Sequence, residues 1–302
     1  MAFNIWRITD GKAGHDSQSI GLCNAIEQLK SCERFDVPVD SLLNSCKNIL
    51  LKQFPQGKEL PSPDIIIGAG HGTHLPMLSA KYVRKGKAIV LMKPSLPLSF
   101  FDCCIIPKHD SPPNKEKIIS TNGALNPVQD NEDKLANTGL ILIGGSSKHY
   151  QWNDEAIVSQ IKQIVTSQTN IHWTIADSPR TPKTTLTTIL KLAHKNVDVL
   201  NFTETDSKII REFIFKADNI WVSVDSVSMI YESLSSGAAV GLLDLEQKKK
   251  NRVTGAINTL INEKQLTTFA MWENTHKLTK PSHKFNESER CASLLLERGI
   301  LD

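Results

Sequence analysis

Ser223-Val224-Asp225-Ser226-Val227-Ser228-Met229-Ile230-Tyr231-Glu232 joins an apolar run to a helical pattern through small, hydroxyl-bearing residues. The pattern predicts a strand over 219–224, a helix from Val227 that closes at Ser235-Ser236-Gly237, and a second strand at Ala239–Leu243. Hydroxyls and free backbone N–H groups then gather at a helix start on the carboxyl edge of a parallel sheet. Unsatisfied amides and the helix dipole stabilise an anion at such a place. The candidate contacts are Asp225, Ser226, Val227, Ser228 and Met229. Glu232, two turns into the helix, is placed to hydrogen-bond a sugar hydroxyl if a nucleotide phosphate occupies the helix start. An ordinary capped helix uses the same residue types.

Three Gly-rich loops follow apolar runs. Asp10-Gly11-Lys12-Ala13-Gly14-His15 precedes the first helical pattern. A neutral imidazole at a loop edge is the usual general base near neutral pH, so His15 is a candidate base, with Asp10 or Asp16 to orient it. The loop fits neither the GxGxxG dinucleotide fingerprint nor the GxxxxGK[ST] phosphate loop, and NAD and ATP lose their usual signatures. The second loop, Gly68-Ala69-Gly70-His71-Gly72-Thr73-His74-Leu75-Pro76, offers two imidazoles but no third metal ligand nearby, and a structural zinc needs four. It reads as a hydrogen-bonding loop that touches substrate. The third, Gly144-Gly145-Ser146-Ser147-Lys148, supplies amides, hydroxyls and a positive charge, a chemical match to diphosphate. Arg180 follows a predicted strand and reads equally as a phosphate clamp or a solvated arginine; His109 also follows a strand end. No Asp-x-Asp occurs, so no catalytic Mg²⁺ or Mn²⁺ is expected. Acyl-transfer and metallopeptidase motifs are missing as well.

These loops need a scaffold. Short apolar runs at 3–8, 35–39, 64–68, 88–92 and 103–106 alternate with helical patterns, the clearest over 17–29. A polar stretch at 126–137 interrupts the rhythm, which restarts at 140–143 and continues through 171–176, 197–201, 219–224 and 239–243. Helices are predicted between them at 154–165, 183–193, 207–216 and 227–235. This alternation predicts an α/β fold of two facing, Rossmann-like, doubly wound parallel sheets with ligands at the strand carboxyl ends in a cleft between them. The expected domains are 1–137, 138–285, and a terminal helix in 286–302 that packs back on the first.

The 302 residues suffice for two cores, and 40% hydrophobic with 22% charged residues is a globular composition. A net charge of +3 does not point to nucleic acid. Basic residues cluster at 81–87 and 248–252, either as solvated faces or as a docking surface for anionic lipid. Six cysteines without framework spacing read as reduced thiols. With no apolar signal region or membrane-length stretch, the expected location is the cytoplasm, with peripheral contact at the inner membrane.

The segments DGKAGHDSQSIGL (10–22), GAGHGTHLP (68–76), GGSSKHY (144–150), RTP (180–182) and DSVSM (225–229), in that order, resemble the elongated-mitochondria family. That family contains a plant mitochondrial-fission factor and bacterial proteins described as glycosyltransferases, including lipopolysaccharide outer-core enzymes. More distantly, the layout is similar to the enzyme that adds N-acetylglucosamine to lipid I. The resemblance implies a GT-B fold and metal-independent transfer of a sugar from a nucleotide-diphosphate donor, UDP-linked, to a glycolipid acceptor of the cell surface such as the lipopolysaccharide core, with no cofactor. Diphosphate would rest at Ser226–Ser228 with Ser146, Ser147, Lys148 and Arg180, and Glu232 would hold the ribose. His15 would deprotonate the acceptor, with Gly14, Gly70, His71, Thr73, His74 and His109 on the acceptor side. Direct displacement implies inversion. A nucleotide-sugar 2-epimerase and a non-catalytic fission-type adaptor are the alternatives; an NAD-dependent oxidoreductase fits least.

Overall fold

The computed structural model of the chain describes residues 2–192, 194–248 and 252–302. The chain divides into two compact units, Met1–Pro127 with Glu287–Asp302, and Val128–Asn286. In the first, β1 (Phe3–Thr9), α1 (Ala13–Leu29), β2 (Cys32–Pro38), α2 (Leu42–Leu50), β3 (Ile65–Ala69), α3 (His74–Arg84), β4 (Lys87–Leu91), β5 (Cys103–Pro107) and β6 (Ile118–Thr121) form a parallel sheet in the order β2-β1-β3-β4-β5-β6. The second holds β7 (Leu135–Leu142), β8 (Tyr150–Gln151), α4 (Asp154–Ser167), β9 (His172–Ala176), α5 (Lys183–Leu190), β10 (Val197–Leu200), α6 (Ser207–Lys216), β11 (Ala217–Ser223), α7 (Val227–Ser235), β12 (Ala239–Leu243), β13 (Glu246–Gln247), α8 (Arg252–Asn262), β14 (Thr267–Thr268) and α9 (Phe269–Thr275). Its parallel sheet runs β10-β9-β7-β11-β12-β14, with β8 and β13 as a small antiparallel pair. The last helix, α10 (Glu287–Glu297), returns to the first unit.

Strands covered on both faces must be apolar at every position, and the period of two divides them between two cores. Ile5, Ile65, Ile67, Ile89 and Ile105 pack with α1 and α10, where Leu22, Ile26, Cys291 and Leu295 meet them. Their neighbours Trp6, Ile66, Val90, Cys104 and Ile106 pack on the other face with Met77 and Ala80 of α3. In the second unit, Ile141, Trp173, Ile175 and Trp221 pack against Ile157, Ile161 and Ile164 of α4 and against Phe269 and Trp272 of α9. The Trp221 and Trp272 rings meet edge to face, 5.4 Å apart at 89°.

Two elements depart from the expected rhythm. β6 is an edge strand whose apolar residues are Ile118 and Ile119, too short a run to stand out, and its backbone carbonyls are held by Arg290 and Arg298 beside α10. β7 begins inside the stretch read as linker, because Leu135, Ala136 and Asn137 are exposed and polar in pattern although they extend the strand. A register shift against β11 lies there, with Asn137 at φ 58. Ala193, at the end of one predicted helix, and Lys249, Lys250 and Asn251 of the second basic cluster lie outside the described residues. Among those described, no helix is long and apolar enough to cross a membrane.

Candidate functional site

β1 and β3 are neighbours, so the loops after them meet at the carboxyl edge of the first sheet. α1 begins at Ala13, earlier than its apolar spacing shows, which puts His15 in its first turn. His15 Nδ1 lies 3.0 Å from both carboxylate oxygens of Asp10. Lys12 Nζ is 3.2 Å from Asp10 Oδ2. Burial works against the charge of Asp10, whose side chain is 6% exposed, but the bonds from His15 and Lys12 prevail and hold its pKa below the usual carboxylate value. A carboxylate only accepts, so Nδ1 carries the hydrogen and Nε2 is left as the basic nitrogen.

The second Gly-rich loop closes over this pair. Gly70 sits at φ 79, ψ 160, a conformation reserved for glycine, and a Cβ there would run into the His15 imidazole. A Cβ on Gly72 would come within 3.3 Å of Asp10 Oδ2. Gly14 lies exposed with open space around it.

Asp16 does not orient His15. It accepts from Arg7 at 2.9 Å and from the Thr9 hydroxyl. Arg7, 5% exposed, also grips Asp36 of β2 through two nitrogens, which holds the Asp36 carboxyl below its usual range. The network ties α1 to β1 and β2 and so fixes the turn that carries Asp10 and His15. Sequence reading missed Arg7 and Asp36. The signal was a charged residue inside FNIWRIT, because a buried strand cation must find partners.

Thr73 and His74, expected on the acceptor side, serve the scaffold instead. Thr73 is fully buried and donates to the Gly70 carbonyl at 2.8 Å. His74 is 2% exposed, with Nδ1 3.2 Å from Ser95 Oγ and its ring edge-on to Phe101, and burial, then the nearby His71, pushes its pKa down. His71 is exposed in a short 3₁₀ turn. His109 follows β5, three strands from β1, about 14 Å across a sheet at normal spacing, and the structure does not bring it to His15.

In the second unit the neighbouring strands β9, β7 and β11 end in three loops that bind one another. Gly144 N donates to Ser223 Oγ at 2.7 Å, and Gly145 N to Asp225 Oδ2 at 3.0 Å. Arg180 Nη1 reaches the same Asp225 oxygen at 2.8 Å. The Ser178 hydroxyl donates to the Gly144 carbonyl at 3.0 Å, and Thr181 to those of Ile143 and Gly144. Gly144 and Gly145 are glycines because a Cβ would strike the Asp225 carboxylate at one and the Arg180 carbonyl at the other. The two amides read as diphosphate donors are therefore engaged within the protein. Ser147 likewise caps its own turn, accepting from His149 and Tyr150 N–H groups, whereas Ser146 and Lys148 are exposed.

Asp225 brings Gly145 and Arg180 together with the start of α7. Its Oδ1 is buried with no hydrogen-bond partner. Ser226, buried at the N-cap, makes no side-chain cap for α7, so the first amides of that helix, at Val227, Ser228 and Met229, have no side-chain acceptor from the cap. Ser228 is exposed, and Glu232 is half-buried in the second turn. Among the described residues, no three His, Cys, Asp or Glu side chains cluster as metal ligands.

Two parallel six-stranded α/β units define a GT-B type fold. It is shared with the UDP-GlcNAc 2-epimerase of Neisseria meningitidis solved with UDP-GlcNAc (TM-score 0.59, 13% identity, covering 98% of this chain and 100% of that one). It is shared also with a glycosyltransferase of Rickettsia africae ESF-5 (TM-score 0.51, 11% identity, 99% and 90%). The chain belongs to the mitochondrial fission ELM1 family, whose model matches residues 13–299. It is 25% identical to the uncharacterized protein RP120 of Rickettsia prowazekii (strain Madrid E), over 97% of each chain.

Proposed function

We propose that this chain transfers a sugar from a nucleoside-diphosphate donor, UDP-linked, to a hydroxyl of a glycolipid acceptor such as the lipopolysaccharide core. The observation that carries the reading is the Asp10–His15 pair, with Nδ1 on the carboxylate at 3.0 Å and Nε2 left to take a proton. In this scheme Nε2 removes the acceptor hydroxyl's proton as the oxygen attacks the anomeric carbon, and the bond to the diphosphate breaks. Charge growing on the diphosphate is met by the first amides of α7, and the scheme assigns Ser228, Ser146, Lys148 and Arg180, turned from Asp225, to the same charge. Glu232 takes the ribose hydroxyls. No cofactor or resident metal has a part in the scheme.

The test pairs binding with turnover. Adding UDP should raise the melting temperature in a dose-dependent way, as RT ln(1 + [L]/Kd) requires, and Glu232→Ala should lose the shift. His15→Ala should keep the shift and lose transfer to a lipid-extract acceptor by about 10²- to 10⁴-fold. A wild type indifferent to every nucleoside diphosphate ends the proposal.

A second reading deserves the same tube. The fold relatives include an epimerase bound to UDP-GlcNAc, and a carboxylate-oriented imidazole can also abstract a carbon-bound proton. Isomerisation of UDP-GlcNAc with no acceptor present would select that reading; an unchanged sugar would leave transfer.

A further inference from the structure

α2 turns apolar side chains outward. Among its described side chains the buried ones are the polar Ser45 and Asn48, at 4% and 6% exposure, whereas Leu43 and Leu50 are 82% and 81% exposed. Leu43, Cys46 and Leu50 recur at intervals of three and four, so they form one outward stripe, continued by Leu51 at 56%. Beside it, Ile49, Leu75, Leu78, Leu96 and Phe100 line an open apolar groove of 810 Å³. Single exposed leucines are ordinary; a helix stripe next to an apolar groove, with Ile49 of the same helix in the groove wall, is a surface awaiting a cover.

The charge around it says what the cover is. Residues 41–58 and 71–101, which carry α2, α3 and the groove walls, contain seven lysines and one arginine and no aspartate or glutamate, with Asp40 and Asp102 at their edges. Some of these cations have internal work: Arg84 donates to the Gly57 and Leu60 carbonyls, Lys87 to those of Gly299 and Ile300, and Lys81 pairs with Asp102. Lys52 and Lys85, both lining the groove, stand over the Tyr82 ring at 5.6 and 5.7 Å. Tyr82 is 54% exposed.

We infer that this face docks on a lipid bilayer bearing anionic headgroups. Leu43 and Leu50 enter the acyl boundary, the phenol of Tyr82 lies at headgroup level, and Lys52 and Lys85 meet the phosphates with their stems along the apolar surface. A second copy of the chain fits worse, since an isologous contact would set this lysine-rich surface against itself. The inference does not rest on sugar transfer, because its test contains neither nucleotide nor glycan.

The experiment is co-sedimentation of the full chain with phosphatidylcholine vesicles, with and without phosphatidylglycerol, at low and high salt. Binding should require phosphatidylglycerol and weaken with salt. Lys52→Ala/Lys85→Ala should weaken it about thirtyfold at low salt, roughly fivefold for each lysine. Leu43→Ser/Leu50→Ser should weaken it about a hundredfold or more, and since all four side chains are exposed, thermal unfolding of both variants should match the wild type. Absence of vesicle binding, or variants that bind like the wild type, overturns the inference. So does concentration-dependent dimerisation abolished by Leu50→Glu without vesicle binding, which would give the face to a second copy.

Discussion

Replacing Gly70 by alanine tests the geometry of the Asp10–His15 pair more directly than removing either partner. The substitution acts twice. A non-glycine residue at φ 79, ψ 160 costs about 1–3 kcal/mol in backbone strain alone. The new methyl is also driven into the His15 ring, and overpacking of this kind costs a further ~1–3 kcal/mol. Only the second part depends on His15. In a His15→Ala background the ring is gone, so Gly70→Ala should cost about 1–3 kcal/mol less than in the wild type. Loss of the Asp10 bond occurs in both His15→Ala proteins and cancels. Urea unfolding, followed through hydrogen-exchange protection of β1 and β3 peptides, reports the first unit separately from the second. Equal costs in the two backgrounds, within ~0.5 kcal/mol, would mean that the ring does not lie against Gly70. If the proposed sugar transfer holds, the same variant, by displacing the imidazole from its carboxylate, should depress it about as far as His15→Ala does.

Two further outcomes concern the second unit. Arg180→Ala leaves the fully buried Asp225 carboxylate with a single N–H partner from Gly145, and should cost about 1–3 kcal/mol in urea unfolding; adding Asp225→Asn should recover part of it. Burial pushes the Lys134 ammonium down to about 8 from 10.5, although its Nζ donates to the Phe215 carbonyl at 2.9 Å. Between those two values the unfolded chain holds the extra proton, so stability should rise with pH from about 8 to 10.5 relative to Lys134→Met, and a flat difference over that window would refute it.

Most of the strand positions were legible because both sheets are parallel and buried on two faces. Apolar runs such as 65–67 and 88–91 suit strands buried on both faces, and the helical patterns between them call for crossover connections. What escaped were elements whose exposure hides them. β6 shows two buried isoleucines and then polar residues, and the first three residues of β7 lie in water. α2 shows that spacing does not give orientation: Leu43, Leu50 and Leu51 are apolar but face outward, and Ser45 and Asn48 are buried.

The loops of the site were legible from their glycines, but the purpose of each glycine was not. Gly144-Gly145 reads as a cradle for a ligand's phosphates; the structure fills it with the Asp225 carboxylate, which binds the Gly145 amide and Arg180 together. From one sequence, a glycine that admits a ligand and a glycine that admits a neighbouring side chain look alike. The deciding residue was Asp225 itself. A buried carboxylate at the turn from β11 into α7 must be met by donors, and the pairing of β7 with β11 brings the Gly145 amide to it. Once the Gly144 and Gly145 amides are taken, the N–H groups that remain for an anion are those at the start of α7, where Ser226 provides no cap. In the proposed scheme a phosphate would therefore rest one residue past Asp225, beside the carboxylate that Arg180 holds.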